Sequence, residues 1–177
     1  MAPTPSPTAF EHAMLPHLDA AYNLARWLMR NEHDAGDCVQ DAYLRAFRAF
    51  DRFRGGDGKP WLLTIVRNVC YSRLRRVRQV EPPNVFDEAV HGIVDEPAER
   101  AERLRREASL ELLHQTIADL PESMREVIVL HDLERLSYKE IATVVGIPLG
   151  TVMSRLARAR MRLQQEMLRR IDEEPAS

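Results

Sequence analysis

Apolar residues recur along this chain at the three- and four-residue spacing of helix faces, and nowhere in sustained alternation, so the pattern predicts an all-α protein. From Thr8 onward Phe10, Met14, Leu18, Ala21, Tyr22, Leu24, Ala25 and Leu28 fall mostly at helical spacing, and Pro16 divides the run because it lacks an N–H and crowds the preceding turn. Residues 34–50 predict a second helix with Val39, Ala42, Tyr43, Ala46, Phe47 and Phe50 inward and Asp37, Gln40, Asp41, Leu44 and Arg48 outward. A glycine-rich loop, FRGGDGKP, follows. It matches no phosphate-binding loop by spacing and reads as a connection. Pro60 suits the first turn of a third helix reaching about Gln79, with Leu62, Val66, Val69, Cys70 and Val77 inward.

Helical pattern resumes near Pro97, where Leu104, Ala108, Leu112 and Leu113 are expected to pack inward. It starts again after Leu120-Pro121-Glu122 with Met124, Val127, Ile128, Val129 and Leu130. Ser137 with Glu140 has the spacing of a capping box for a helix carrying Ile141, Ala142, Val144 and Val145. Gly146 stops that helix, Ile147 to Gly150 read as the turn, and Thr151 is the expected cap of the next. At about 100° per residue, Val152, Leu156, Ala159 and Leu163 share one side of that last helix, leaving Met153, Ser154, Ala157, Arg158 and Met161 outward, with Arg155 and Arg162 at the margins.

The 177 residues suit one large domain or two small ones, and 6% aromatic content with seven glycines argues against an all-β fold. A net charge of −2 conceals segregation: residues 67–78 carry five arginines and no acid, whereas residues 81–99 carry six acids and no Lys or Arg. The acidic stretch, with Pro82, Pro83 and Gly92, reads as a flexible linker, and Ala2–Pro7 as a disordered leader. Cys38 and Cys70 belong to no metal-binding or disulfide spacing and read as core residues. His131 has no second histidine at ligand spacing, so no metal is expected. No cofactor loop or nucleophile–base set is present either, and an enzyme is the least supported class. No apolar run reaches about 18 residues and no signal-peptide pattern opens the chain, so a cytoplasmic protein is expected.

Candidate chemistry lies on three outward faces. A helix with small and polar residues flanked by arginines fits the DNA major groove, which is the favoured reading over the solvated side of an ordinary bundle. On the third helix, Trp61, Thr64, Asn68, Ser72 and Arg75 form one outer stripe with Tyr71 beside it and Arg73, Arg76 and Arg78 following. Rings that stack on bases and arginines that hold a backbone suit single-stranded nucleic acid; half-buried aromatics and a solvated basic terminus account for the same pattern. On periodicity alone the outward face of the second helix reads as a simply solvated one. Arg103, Arg105 and Arg106 read as a charged face paired with Glu99, Glu102 and Glu107.

Taken in order, DAGDCVQDAYLRAF, FRG, WLLTIVRN, LPESMREVIVL, LSYKEIA and GIPLGTVMSRLARAR, the chain resembles the extracytoplasmic-function sigma factors of bacterial RNA polymerase over about residues 10–168. The resemblance implies two small helical domains joined by the acidic linker. Residues 8–80 correspond to sigma region 2, which binds core polymerase and the −10 element. Residues 108–170 correspond to sigma region 4, whose helix-turn-helix binds the −35 element, with 1–7 a leader, 81–107 the linker and 171–177 a tail. It assigns Asp37, Gln40, Asp41, Leu44 and Arg48 to core polymerase. It assigns Trp61, Thr64, Asn68, Tyr71, Ser72, Arg75 and Arg76 to single-stranded −10 DNA, and Thr151, Met153, Ser154, Arg155, Ala157, Arg158 and Arg162 to duplex −35 DNA. The linker corresponds to the segment threading the polymerase RNA path, and an anti-sigma factor is an expected partner. Two positions depart from the family pattern: Gly36 stands where an acid is frequent, and Met153 where arginine is frequent. The other classes to be separated are a sigma mimic that titrates an anti-sigma factor and a stand-alone helix-turn-helix regulator.

Overall fold

A computed structural model of the chain describes residues 6–78 and 97–173, which form eight α-helices and no strand among the described residues. Residues 1–5 of the expected leader, the acidic linker as far as residue 96, and residues 174–177 lie outside them. The first bundle comprises α1 (Pro7–Met14), α2 (Leu18–Met29), α3 (Glu32–Arg48) and α4 (Gly58–Val77). A single 3-10 turn, Leu15–His17, separates α1 from α2 at Pro16, as the missing N–H requires. Helices α2, α3 and α4 pack on one another around Leu24, Leu28, Cys38, Ala42, Leu62, Val66 and Cys70. Phe10 of α1 closes the top, edge-on to Phe47 at 5.2 Å and Phe50 at 5.3 Å.

Helix α3 starts two residues before the expected Asp34, because the Asn31 side chain accepts from the Asp34 amide at 2.9 Å and caps the helix. Helix α4 starts at Gly58, whose missing side chain has a packing reason. A Cβ there would lie 3.0 Å from Met14 Cε and 3.1 Å from the Ala13 carbonyl. Val77, expected inward, is 42% exposed, since α4 outruns the bundle at its C-terminal end.

The second bundle comprises α5 (Pro97–Ala118), α6 (Glu122–Ile128), α7 (Tyr138–Val145) and α8 (Leu149–Glu173). A five-residue π-helical turn, Val129–Leu133, links α6 to the approach to α7. Ile117, Leu120, Val127, Ile128, Leu130, Ile141, Val144, Val152 and Leu156 make its core. Arg125 is buried, and its guanidinium donates to the carbonyls of Ala118 at 2.7 Å and Leu120 at 3.4 Å, closing the end of α5. Leu104 and Ala108 are exposed, contrary to expectation. The inward stripe of α5 begins only at Leu113, where α8 lies alongside.

Candidate polymerase and nucleic-acid interfaces

The helix-turn-helix is built from its caps outward. Ser137 Oγ accepts from the Glu140 amide at 3.2 Å while the Glu140 carboxylate accepts from the Ser137 amide at 2.7 Å, a complete capping box. Gly146 ends α7 at φ 74°, where a Cβ would strain the backbone. The turn is shorter than expected: α8 begins at Leu149, and the Pro148 carbonyl accepts from Thr151 and Val152 at 3.0 and 3.1 Å. Thr151 therefore sits inside the first turn and does not cap it. The two helices meet at 101°, within the range of helix-turn-helix units.

On α8, Val152, Leu156 and Ala159 are buried, and Met153, Ser154, Ala157, Arg158, Met161 and Arg162 are exposed, with Thr151 and Arg155 half-buried. The outer face is thus presented to solvent with arginines on it, as major-groove contact needs. Ser154 Oγ donates to the Thr151 carbonyl at 3.2 Å and Arg158 Nε to the Ser154 carbonyl at 3.4 Å, resting positions from which both side chains rotate cheaply.

On α4 the outward stripe is uneven. Asn68, Arg75 and Arg76 are exposed, while Trp61, Thr64, Tyr71 and Ser72 are half-buried. Trp61 ends a chain of rings, 5.2 Å from Phe53, which stacks on Phe50 at 5.7 Å. Its indole is tilted against Phe53 and half-buried against the core of the bundle. Thr64 Oγ1 donates to the Pro60 carbonyl at 2.8 Å, and Arg75 donates to Ser72 Oγ at 3.2 Å. Arg73, grouped by sequence with the arginines that hold a nucleic-acid backbone, instead turns onto α3, where Nη2 donates to Asp34 at 2.6 Å and Asp37 at 3.2 Å. On α3 itself Gln40, Leu44 and Arg48 are exposed at helical spacing, Leu44 at 57%, while Asp41 pairs with Arg45 at 2.9 Å. An exposed leucine framed by charges suits a protein partner.

Another face of α4 was missed by the sequence reading. Lys59, Leu63, Arg67, Tyr71, Leu74 and Arg78 follow one another at intervals of three or four residues, one helical stripe, and this side meets the second bundle. The Lys59 ammonium donates to the Glu134 carbonyl at 2.6 Å and lies 3.3 Å from its carboxylate, which also accepts from Asn23. Arg67 donates to both carboxylate oxygens of Glu126, the Nη2 contact at 3.3 Å, and its guanidinium lies 4.5 Å over the Tyr71 ring. Tyr71 also donates to Glu126 at 3.4 Å, and Arg78 pairs with Glu122 at 2.5 Å. Trp27 meets His114 edge-on at 5.6 Å on the same side. Burial pushes the Glu126 carboxyl upward, and Arg67 draws it back only in part. The available signal was a basic and apolar stripe at helical spacing, which reads equally as a solvated face.

Among the described residues no group of His, Cys, Asp or Glu could hold a metal ion, and no single helix is long and apolar enough to cross a membrane. Arg103 pairs with Glu107 at 3.4 Å and Arg106 with Glu102 at 3.3 Å along α5, the charged-face arrangement.

Residues 14–80 match the family model of sigma-70 region 2, and residues 110–163 that of sigma-70 region 4. The chain is 35% identical over 162 residues to the RNA polymerase sigma-H factor of Pseudomonas aeruginosa, covering 86% of this chain and 82% of that one. It is 33% identical over 163 residues to the sigma factor SigE of Mycolicibacterium smegmatis, covering 89% of this chain but only 61% of the relative's length. Among solved structures, the sigma factor RpoE of Bartonella quintana, crystallised with the anti-sigma factor NepR, is similar with a TM-score of 0.72 and 30% identity over 90% of this chain and 97% of that one. CnrH, solved with the cytosolic domain of CnrY, is similar with a TM-score of 0.62 and 26% identity, covering 96% and 92%.

Proposed function

The chain belongs to the extracytoplasmic-function sigma factors of the sigma-70 family, and on that premise we propose how its surfaces divide the work of starting transcription. The protein binds core RNA polymerase and directs it to promoters. In our reading residues 8–80 act as region 2 and residues 108–170 as region 4. The outer face of α3, Gln40, Leu44 and Arg48 with Asp37 and Asp41 beside them, docks on the polymerase. The face of α8 carrying Met153, Ser154, Ala157 and Arg158 reads the −35 duplex, while Arg155 and Arg162 at its margins hold phosphate.

The observation that carries the −10 assignment is Asn68, an exposed amide on α4 between the held indole of Trp61 and the exposed Arg75 and Arg76. Such a face holds unstacked bases by stacking and hydrogen bonding and their backbone by charge. Binding open DNA alone shifts the duplex equilibrium toward opening, so melting needs no bond chemistry from the chain. Two weak DNA sites held in register by polymerase act together by raising each other's effective concentration. Work on the polymerase places the protein in the cytoplasm, and an anti-sigma factor is its expected negative partner.

The test is run-off transcription with purified core polymerase on a pool of promoter fragments. New transcripts whose templates share two spaced elements are expected. Polymerase binding without any transcript favours a sigma mimic, and operator binding without polymerase favours a stand-alone regulator.

A further inference from the structure

Two carboxylates stand on the face of α3 assigned above to polymerase, and they are held in different ways. Asp41 is paired within its own helix, by Arg45 four residues on at 2.9 Å, as helical neighbours commonly are. Asp37 is held from α4. Arg73 Nη2 donates to Asp37 Oδ2 at 3.2 Å and to Asp34 Oδ1, one turn earlier, at 2.6 Å. His33 Nε2 stands 3.7 Å from the same Asp37 oxygen, too far for a hydrogen bond, on a side chain that is 85% exposed. At about 100° per residue Arg73 points about 200° away from Arg75, which takes it off the stripe that faces the DNA strand and onto α3. The first turns of α3 need such a hold. Glu32, Asp34 and Asp37 come before any Lys or Arg of that helix, and Gly36 between the two aspartates weakens it relative to alanine. The Asn31 cap fixes the Asp34 amide and Arg73 fixes the Asp34 carboxylate, so the turn is pinned at both backbone and side chain.

We propose that Arg73 is a positioning residue for polymerase binding: from the helix that captures the −10 strand it fixes the Asp37 carboxylate on the docking helix, holding Oδ2 and presenting Oδ1 to a donor of the polymerase. This rests on the assignment of the outer face of α3 to polymerase. A carboxylate already held in one orientation binds without the cost of ordering it at the moment of contact. The same clamp joins the two working faces of the first bundle, since Arg73 lies one residue from Ser72 and two from Arg75 on α4. An arginine that sequence groups with the strand-binding cluster thus serves the polymerase face, and its removal is felt there and not on DNA.

The experiment uses the full chain and purified core polymerase. Affinity for core is read without DNA by anisotropy of the N-terminally labelled protein, stability by the thermal midpoint, and strand opening by permanganate reactivity at saturating protein. Arg73→Ala is expected to weaken core binding about fivefold and to leave opening at saturation unchanged. Arg73→Lys, which keeps a cation able to donate to both carboxylates, should retain most of the affinity. In an Asp37→Ala background the further loss on Arg73→Ala should vanish, because nothing is left to position. Adding Gly36→Ala should restore the thermal midpoint of Arg73→Ala but not its affinity relative to Gly36→Ala alone, which separates positioning from stability. Additive losses with Asp37→Ala, an affinity that recovers with the midpoint, or a loss of opening at saturating protein overturns the proposal. Intact core binding in Arg73→Ala, while Asp37→Ala and Leu44→Arg lose it, overturns the proposal alone. Intact core binding in those two variants overturns the docking face and the proposal with it, so the two failures are distinct.

Discussion

Arg160 on the recognition helix grips Asp132 at two points, Nη2 to Oδ1 at 2.5 Å and Nε to Oδ2 at 3.4 Å, tying α8 to the π-helical turn ahead of α7. His131 Nδ1 lies 2.8 Å from the same carboxylate. Desolvation pushes the Asp132 carboxyl up, but the hydrogen bonds from Arg160 and His131 outweigh it and hold the pKa below the ordinary aspartate value. A carboxyl depressed in the folded chain contributes stability above its unfolded pKa and loses it as pH falls through the folded one. The stability gap between wild type and Asp132→Asn should therefore narrow as pH drops from neutral to below about 4. Urea midpoints at each pH measure the gap, and a constant gap would contradict the argument.

The capping box makes a local prediction. Ser137→Ala removes the acceptor for the Glu140 amide and should cost about 1 kcal/mol, with faster hydrogen exchange confined to the first turn of α7. Unchanged exchange there would mean that water replaces the cap without loss.

Two glycines should respond in opposite directions. Gly36 lies inside α3 with nothing within 4 Å of a built Cβ, so Gly36→Ala should stabilise by about 0.5–1 kcal/mol. Gly58→Ala should destabilise, because the new methyl meets the Ala13 carbonyl at 3.1 Å. Thermal unfolding of both variants checks the pair, and equal shifts of one sign would refute the packing account of Gly58.

The polymerase and −10 assignments separate by mutation. Leu44→Arg should abolish core binding in a pull-down, whereas Asn68→Ala should leave core binding intact and weaken open-complex formation, read by permanganate reactivity of the −10 strand. If both variants fail at the same step, α3 and α4 do not divide the work as proposed.

Met153 is 51% exposed on the outer face of α8 and has no donor for a base edge. Met153→Arg should create a preference for guanine at one −35 position worth about 1–3 kcal/mol of discrimination. Selection from a randomised −35 library would reveal it, and an unchanged preference would put Met153 off the groove.

Much of this protein follows from periodicity and punctuation, because helix formation is decided by neighbours three and four residues away. The break at Pro16, the capping box at Ser137, the stop at Gly146 and the buried set Val152, Leu156 and Ala159 all lie within one or two turns of the residues that cause them. The order of these segments was enough to reach the sigma factor family. Where reach was longer, spacing did not decide: Leu104 and Ala108 had the right spacing and are exposed, and Arg73 had the right charge and two aspartates on α3.

The sequence by itself determined which segments are helical, which face of each is apolar and where the helix-turn-helix stands, since each is a local consequence of backbone sterics and hydrophobic spacing. Only the tertiary structure decided that the stripe from Lys59 to Arg78 meets carboxylates of the second bundle, with Asn23 and Glu134 joined across 111 positions. A basic and apolar stripe lowers its free energy equally well against water, nucleic acid or another bundle, and only the packing of distant residues selects among them.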